Sequence, residues 1–270
     1  MTSLPLEFFW AAQNASWLDE HGWKLPAAFN TGGSEALALT QSAALTDQSH
    51  RGKVKVTGSE SVSFLNRMLT NDLNAVSAGQ GQRTFLLSAQ GKCLADFRAF
   101  RAPDFILLDT EPGLAPDAIK LLDRFIITDD VRLEDITFST LHLSLEGPQA
   151  ENFRTALQIK FPHAALFSLP QNASLSGYPA LHLWLPADQT RDAAEILPSL
   201  KIPYAAHTAF NTIRLERKVP RFKIDFDETW FLNETGLEDT AASETKGCYP
   251  GQEVVARIKT YKKVEQRLFK

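Results

Sequence analysis

The sequence predicts an α+β protein with two lobes, each a mostly antiparallel sheet with helices packed on one face. Short segments that alternate apolar and polar residues, as half-buried strands do, recur along the chain. Segments with the apolar spacing of amphipathic helices lie between them. No period of roughly 20–50 residues repeats, which excludes solenoids and propellers.

The elements of the first lobe are clear from residue 51 onward. Lys53–Thr57 alternates as a strand, and Ser59 or Ser61 can cap the helix that follows Gly58. The apolar face of that helix holds Val62, Leu65, Met68 and Leu69. The remaining elements are strands at Arg83–Ser88, Cys93–Arg101, Phe105–Asp109 and Val131–Ile136, and a helix at Ala115–Phe125.

The second lobe is predicted to have a similar mixture of strands and helices, without similarity in sequence to the first. Its predicted elements are strands at Leu141–Leu145 and Ala180–Leu185, and helices at Gly147–Ile159, Asp188–Leu197 and Tyr204–Arg217. We place the boundary near residue 138, which divides the chain into 1–138, 139–245 and 246–270. The aromatic-rich first 50 residues, which contain a loop signal at 30–34, are expected to pack onto a later domain.

Composition excludes several classes of protein. The chain has 270 residues, 44% of them hydrophobic, and a net charge of −4, which is typical of a globular protein and gives no general attraction for nucleic acid. No apolar run reaches the ~20 residues of a membrane span, and no secretory signal is visible. Two cysteines predict a reducing, cytoplasmic location. No closely spaced set of histidines and cysteines predicts a metal site, and the basic ending at 259–263 predicts a solvated tail.

The most informative stretch is Lys246–Glu253, which reads K-G-C-Y-P-G-Q-E. Its two glycines and its proline predict a tight backbone path, and the apolar residues that follow predict a short helix. Cys248 would then precede a helix N-terminus, whose partial positive charge stabilises a thiolate, and Lys246 would add a full charge. The alternative is that Cys248 is a small buried hydrophobe at a tight turn.

This stretch resembles the K-G-C-[YF]-x-G-Q-E motif of the YgfZ-type folate-binding proteins, relatives of the glycine-cleavage T-protein (aminomethyltransferase). Other segments are similar to the wider superfamily in the same order, and together they cover about residues 40 to 260. They are Asp47–Gly52 with Val56–Gly58, Phe64-Leu65 with Leu69–Leu73, Gln90–Asp96, Arg214–Glu216 and Asn233–Leu237.

The resemblance implies two lobes related to ferredoxin-like folds, followed by a C-terminal β-barrel, around a central site for tetrahydrofolate. Because the chain ends 17 residues after Glu253, we expect that barrel to be missing or reduced.

The resemblance also implies a set of site residues. Asn71 and Asp72 would shape the folate pocket, and Asp96 would face the folate from a hairpin. Arg214 and Glu216 would line the cavity, with Arg214 as the cation for the glutamyl carboxylates. Without the resemblance, Asn71 and Asp72 read as a turn, and Arg214 and Glu216 as a solvated pair on a helix. The motif residues are Lys246, Gly247, Cys248, Tyr249, Gly251, Gln252 and Glu253, and the expected catalytic groups are Cys248, Lys246 and Asp96.

The function that the resemblance implies is a folate-binding accessory role in iron–sulfur cluster assembly or repair, with iron–sulfur enzymes or assembly factors as partners. An iron–sulfur cluster normally takes about four thiolates, so two cysteines predict a transient or shared ligand and no stable cluster in one chain. The alternative is a folate-dependent aminomethyl transferase. T-proteins carry paired acidic residues at the hairpin where this chain has Ala95 beside Asp96. A protein-interaction module with a vestigial pocket is the third hypothesis.

Overall fold

A computed structural model describes residues 1–29, 33–261, 264 and 266–268. The strands are β1 Thr2–Ser3, β2 Ser16–Glu20, β3 Trp23–Ala28, β4 Ala44–Asp47, β5 Gly52–Thr57, β6 Gln80–Leu87, β7 Cys93–Arg101, β8 Ile106–Thr110, β9 Arg132–Asp135, β10 Thr140–Glu146, β11 Ala165–Leu169 and β12 Ala180–Pro186. The loop signal at 30–34 and the basic ending at 259–263 lie partly outside the described residues.

The helices are short, and most of them connect strands. They are α1 Glu7–Ala12, α2 Ser34–Gln41, α3 Ser61–Met68, α4 Ala115–Asp123, α5 Arg154–Lys160, α6 Thr190–Ile196, α7 His207–Glu216, α8 Leu232–Thr235, α9 Glu238–Ala241 and α10 Gln252–Tyr261. Single 3₁₀ turns occupy Leu73–Ala75, Thr137–Ser139, Ala150–Phe153, Ala187–Gln189 and Leu197–Leu200. No helix among the described residues is long and apolar enough to cross a bilayer.

The chain forms two compact units, each built from two separate segments. Met1–Arg51 joins Ile136–Val219 in the first unit, and Gly52–Asp135 joins Pro220–Lys270 in the second. This grouping differs from the contiguous division at residues 138 and 245. The physical reason is that the first and last segments bury their aromatic side chains against strands that are distant in sequence.

The first unit contains the antiparallel strands β4, β10, β12 and β11 in that order, and a separate sheet of β1, β3 and β2. Alternate leucines of β10 and β12 point to one core, because side chains two apart on a strand share a face. Trp10, Trp23 and Phe29 are buried in the same core, which confirms that the aromatic N-terminal segment packs onto a later part of the chain.

The second unit contains an antiparallel array in the order β6, β7, β8, β5 and β9. Apolar residues on one face of these strands pack against α3 and α4. Phe85, Leu87 and Cys93 form a second cluster with Phe222 and with residues of the later segment up to Val255. The later segment therefore completes the core of this unit, and the Lys246–Glu253 motif belongs to it.

The structure refines the predicted elements at their ends. The helix expected over Gly147–Ile159 is split into a 3₁₀ turn at Ala150–Phe153 and α5. Helix α10 continues to Tyr261, so the described start of the basic ending is helical, and it is exposed to solvent as predicted. Several elements were not predicted, and they are strands β1, β2, β3, β4 and β11 and helices α1, α2, α8 and α9.

Candidate functional site

The motif loop begins at Lys246, whose side chain anchors it to helix α3. The Lys246 ammonium donates hydrogen bonds to the backbone carbonyls of Asn66 and Leu69, and to that of Asn71 at 3.2 Å. These carbonyls lie at and just beyond the C-terminal end of α3, where a cation is favourable. Burial lowers the pKa of Lys246 to about 8, an effect that the negative charge of Asp72 opposes.

The other end of the loop is fixed by the contact of two glycines. Gly251 has a φ of +79°, and a Cβ there would lie 2.6 Å from the Ser88 carbonyl oxygen and 2.9 Å from the Cα of Gly91. Gly91, at the tip of the β6–β7 hairpin, also has a φ of +79°, and its own Cβ would lie 3.0 Å from the Val254 side chain. Both positions therefore need glycine for conformation and for space. The contact brings the hairpin motif and the cysteine motif together.

The two cysteines lie in opposite environments. Cys248 is exposed on the loop, whereas Cys93 is fully buried at the start of β7. Burial, and secondarily the charge of Asp96, raises the pKa of the Cys93 thiol far above its ordinary value. The alternative that Cys248 is a buried hydrophobe is wrong. Helix α10 begins at Gln252, four positions after the exposed thiol.

A cavity of about 380 Å³ lies beside the motif loop, within the second unit. Its described lining is Glu238, Ala242, Ser243, Glu244, Tyr249, Gln252, Val255, Ala256, Lys259 and Thr260. The Tyr249 ring is buried, which raises the pKa of its hydroxyl, and the Lys246 ammonium lies 5.2 Å from the ring centroid. The volume is within the ~300–1,000 Å³ range of small-molecule sites.

Glu238 supplies the most distinctive polar group of the cavity. Its Oε2 atom is buried and has no hydrogen-bond partner among the described residues. Burial raises the pKa of this carboxyl, as expected for an acid withdrawn from water. Lys259, on the same cavity, forms ion pairs with Asp239 and Glu244. The cavity therefore combines an apolar wall, an aromatic ring and an unsatisfied carboxylate oxygen.

The predicted element at Asn71 and Asp72 supports the cavity wall from behind. The Asn71 amide donates to the carbonyls of Arg83 at 2.9 Å and Thr240 at 3.2 Å. Thr70 donates through its hydroxyl to the Ala241 carbonyl at 2.6 Å, and its own carbonyl accepts from Ser243 N. These bonds hold the segment that carries two lining residues.

Asp72 has a local role. Its side chain accepts a hydrogen bond from Asn74 N at 2.9 Å and so caps a 3₁₀ turn. The interpretation of Asn71 and Asp72 as a turn is therefore correct for the backbone of this segment. Neither residue belongs to the described lining of the cavity.

Asp96 is enclosed by two arginines on neighbouring strands. Its oxygens accept from Arg83 at 2.6 and 3.0 Å and from Arg98 at 3.2 Å, and all three side chains are at most 1% exposed. Arg83 also donates to the Pro220 carbonyl at 2.8 Å, which ties the later segment to this cluster. Asp96 does not line the described cavity. In this arrangement its carboxylate offsets part of the positive charge of the two buried arginines.

Arg214 and Glu216 belong to the first unit, on helix α7. Arg214 is buried and donates to the Asn211 side chain at 2.5 Å and to the Val219 carbonyl at 3.2 Å, while Glu216 is exposed. Residues two apart on a helix do not face each other, so the two side chains are not a pair. Arg214 is not a solvated surface group.

The remaining motif residues position the start of helix α10. Gln252 N donates to the Tyr249 carbonyl at 3.2 Å, and Gln252 lines the cavity. Glu253 points to solvent and pairs with Arg257 one turn later. Gly247 has no atom within 4 Å of a Cβ placed there, so packing within the described chain does not require a glycine at this position.

A family model for the GCVT N-terminal domain matches residues 6–180, which is more than half of the chain. The chain belongs to the GCVT N-terminal domain family. The motifs predicted membership of the T-protein superfamily, and the match confirms it.

Curated relatives of this GCVT-domain protein include an aminomethyltransferase of Geobacillus kaustophilus, 27% identical over 278 residues, which cover 94% of this chain and 75% of the relative. A chloroplastic protein of Arabidopsis thaliana described as a transferase is 26% identical over 249 residues, 87% of this chain. The chain spans 57% of the length of that relative.

A solved structure confirms the fold. The glycine cleavage system aminomethyltransferase T from Bartonella henselae superposes with a TM-score of 0.81 and 20% identity, over 96% of this chain and 75% of that chain. The α+β fold resembling the T-protein is therefore as predicted.

Sequence reasoning missed Arg83 and Glu238. Arg83 left little signal, because it lies between the polar residues Gln82 and Thr84, where a charged side chain is ordinary. Glu238 left none, since an acidic residue in a short polar helix is ordinary in any sequence.

Proposed function

We propose that this protein binds a tetrahydrofolate and assists iron–sulfur cluster assembly or repair through Cys248, as the resemblance to the YgfZ-type proteins implies. One observation carries the proposal: an exposed thiol lies on a loop fixed at both ends, at Lys246 and Gly251, directly beside a ligand-sized cavity. Such a thiol is positioned to meet a partner while the loop keeps its place relative to the bound ligand.

The cavity suits the pterin end of a folate. A pterin ring presents adjacent N–H donors on one edge and flat apolar faces. The buried Oε2 of Glu238 is an acceptor for those donors, and Tyr249 and Val255 offer surfaces for the ring. Lys259 already pairs with two acidic residues, so the proposal leaves the glutamyl carboxylates outside the cavity, in solvent. Asn71 contributes by holding the wall.

The thiol chemistry that we propose involves one sulfur per chain. Buried Cys93 has a strongly raised pKa and cannot act as a second thiolate ligand. Cys248 would therefore serve as a transient ligand, shared with ligands from a partner protein, or as a redox-active thiol. This chemistry requires a reduced Cys248, and a reducing compartment such as the cytosol, where we propose that the protein is located, would supply it.

The second candidate is folate-dependent aminomethyl transfer, which the names of several relatives favour. The geometry of Asp96 weighs against it. A carboxylate that manages protons near a folate needs access to the reacting atoms. Here both oxygens of Asp96 are held by buried arginines. The iron–sulfur proposal does not require Asp96 to move.

The test is complementation of cells that lack this protein with the wild type, Cys248→Ser or Cys93→Ser, followed by assays of an iron–sulfur enzyme. We expect Cys248→Ser to fail and Cys93→Ser, the matched control, to retain activity wherever it accumulates to the wild-type level. Full activity with Cys248→Ser would overturn the proposed role of the thiol.

A second assay separates the two candidate functions. Purified protein is incubated with tetrahydrofolate and an aminomethyl donor, and methylene-tetrahydrofolate is measured. The accessory role predicts no product above background. Product formation that Asp96→Asn abolishes, without loss of folded protein, would establish the transferase instead.

A further inference from the structure

Three metal-ligating side chains converge in the first unit, away from the thiol motif in sequence and chemistry. Glu20 ends strand β2, His50 follows strand β4, and His207 begins helix α7. One ligand atom from each lies within 4.8 Å of the other two. Since the positions are 30 and 157 residues apart along the chain, only folding brings them together.

The separations in this cluster suit coordination better than direct hydrogen bonding. His50 Nε2 lies 3.8 Å from one oxygen of Glu20, and His207 Nε2 lies 3.6 Å from the other. Charge-assisted N–H···O bonds are ~2.7–2.9 Å long, so both contacts are too long for that geometry. Two ligands on a tetrahedral ion with bonds of ~2.0–2.1 Å are about 3.4 Å apart.

The surroundings of the cluster also fit an ion. The His50 side chain is 5% exposed, while those of Glu20 and His207 are 15% and 17% exposed. The site is therefore shielded from bulk solvent and remains reachable by an ion and by a water molecule. Two imidazoles and one carboxylate are a ligand set for zinc with an open fourth position.

We propose that Glu20, His50 and His207 form a binding site for a divalent transition-metal ion of the zinc type, with water completing the coordination. Each imidazole binds through its neutral Nε2, and the carboxylate brings the negative charge. The ion would connect β2, the segment after β4 and the start of α7, three parts of one unit that are distant along the chain. The site is independent of Cys248 and of the proposed folate cavity.

The test is zinc binding to the full chain, measured by isothermal titration calorimetry and by metal content after dialysis. We expect about one zinc per chain, no comparable binding of Mg²⁺, which prefers six oxygen ligands, and a rise in the unfolding temperature with Zn²⁺. Glu20→Gln, which is nearly isosteric, and His207→Ala should each weaken zinc binding at least ~100-fold. Loss of a residue that only hydrogen-bonds to a metal ligand lowers metal affinity by up to ~100-fold, so loss of a ligand should cost at least as much. His163→Ala, which removes an exposed histidine of the same unit, should bind zinc as the wild type does.

His207→Cys restores a zinc ligand and should recover part of the affinity that His207→Ala loses. Circular dichroism of each variant without metal establishes that it is folded. No zinc binding by the wild type, equal binding of Mg²⁺, or unchanged zinc affinity in folded Glu20→Gln would each overturn the proposal and leave the three groups as an ion-pair cluster only.

Discussion

Replacing Gly251 by alanine tests the contact that joins the cysteine motif to the β6–β7 hairpin. At a φ of +79°, the new Cβ lies 2.6 Å from the Ser88 carbonyl oxygen and 2.9 Å from Gly91 Cα. The left-handed conformation costs alanine roughly 1–2 kcal/mol, and the overpacking adds roughly 1–3 kcal/mol. We therefore expect Gly251→Ala to lower the free energy of unfolding by about 2–5 kcal/mol.

Two other glycines of the same unit separate these contributions. Gly236 has a φ of +74° with nothing within 4 Å of its Cβ position, so Gly236→Ala should show the conformational cost alone, roughly 1–2 kcal/mol. Gly247 has no such atom within 4 Å and no positive φ, so Gly247→Ala should change stability by at most about 0.5 kcal/mol.

Urea unfolding followed by circular dichroism, compared at constant m-value, gives the three differences. If Gly251→Ala costs no more than Gly236→Ala, the hairpin does not lie against the motif loop and the described site is wrong.

Three further predictions concern groups of the second unit. Iodoacetamide should alkylate Cys248 in the native protein and reach Cys93 only in denaturant, because Cys93 is buried and its pKa is raised; peptide mass spectrometry reads both, and equal native labelling would contradict the burial. Asp96→Asn should cost about 3–5 kcal/mol in urea unfolding, because it removes the charge of the carboxylate that accepts two hydrogen bonds from the buried Arg83; a loss under ~0.5 kcal/mol would show that the pairing is absent. The pKa of Lys246 is about 8 in the folded state, below its ordinary value of 10.5, so the folded protein disfavours the charged form. The wild type should therefore gain stability relative to Lys246→Met as the pH rises from about 8 to 10.5. Parallel pH-stability curves for the two proteins would refute this assignment.

Much of the fold could be predicted because several strands alternate apolar and polar residues in sequence, although the structure buries most of them on both faces. Lys53–Thr57, for example, was expected as a strand and is observed as Gly52–Thr57. Strands β4 and β11 were not predicted. The four residues of Ala44–Asp47 are too few to show a clear alternation, and Ala165–Leu169 is only partly buried, so its apolar pattern is weak.

The sequence did not indicate which segments of the chain form each of the two units. Hydrophobic patterns indicate that Trp10 or Phe222 is buried, and they do not indicate which strand buries it. Both residues pack against elements that are far away along the chain. The same limit hid the convergence of Glu20, His50 and His207, since none of the spacings between them is a ligand spacing on one element.

The candidate site was predictable in part. The glycines of the motif indicated a tight path, and the structure accounts for Gly251 through its contact with the hairpin. Lys246 was expected to act beside the thiol. Its observed role as an anchor to helix α3 could not be foreseen, because the carbonyls that it binds belong to a segment about 175 residues earlier. Asp96 was expected to face a ligand. Its partner Arg83 is brought close only by the pairing of β6 with β7, which the sequence does not specify.

The proposed folate site in the cavity beside the exposed thiol is tested most directly by calorimetric titration with tetrahydrofolate under reducing conditions. We predict one site per chain, an affinity about 10–100-fold lower in Glu238→Gln through loss of a hydrogen bond to a charged group, and wild-type affinity in Glu253→Gln, whose side chain points to solvent. No saturable binding by the wild type, or equal affinity in the two variants, would contradict it.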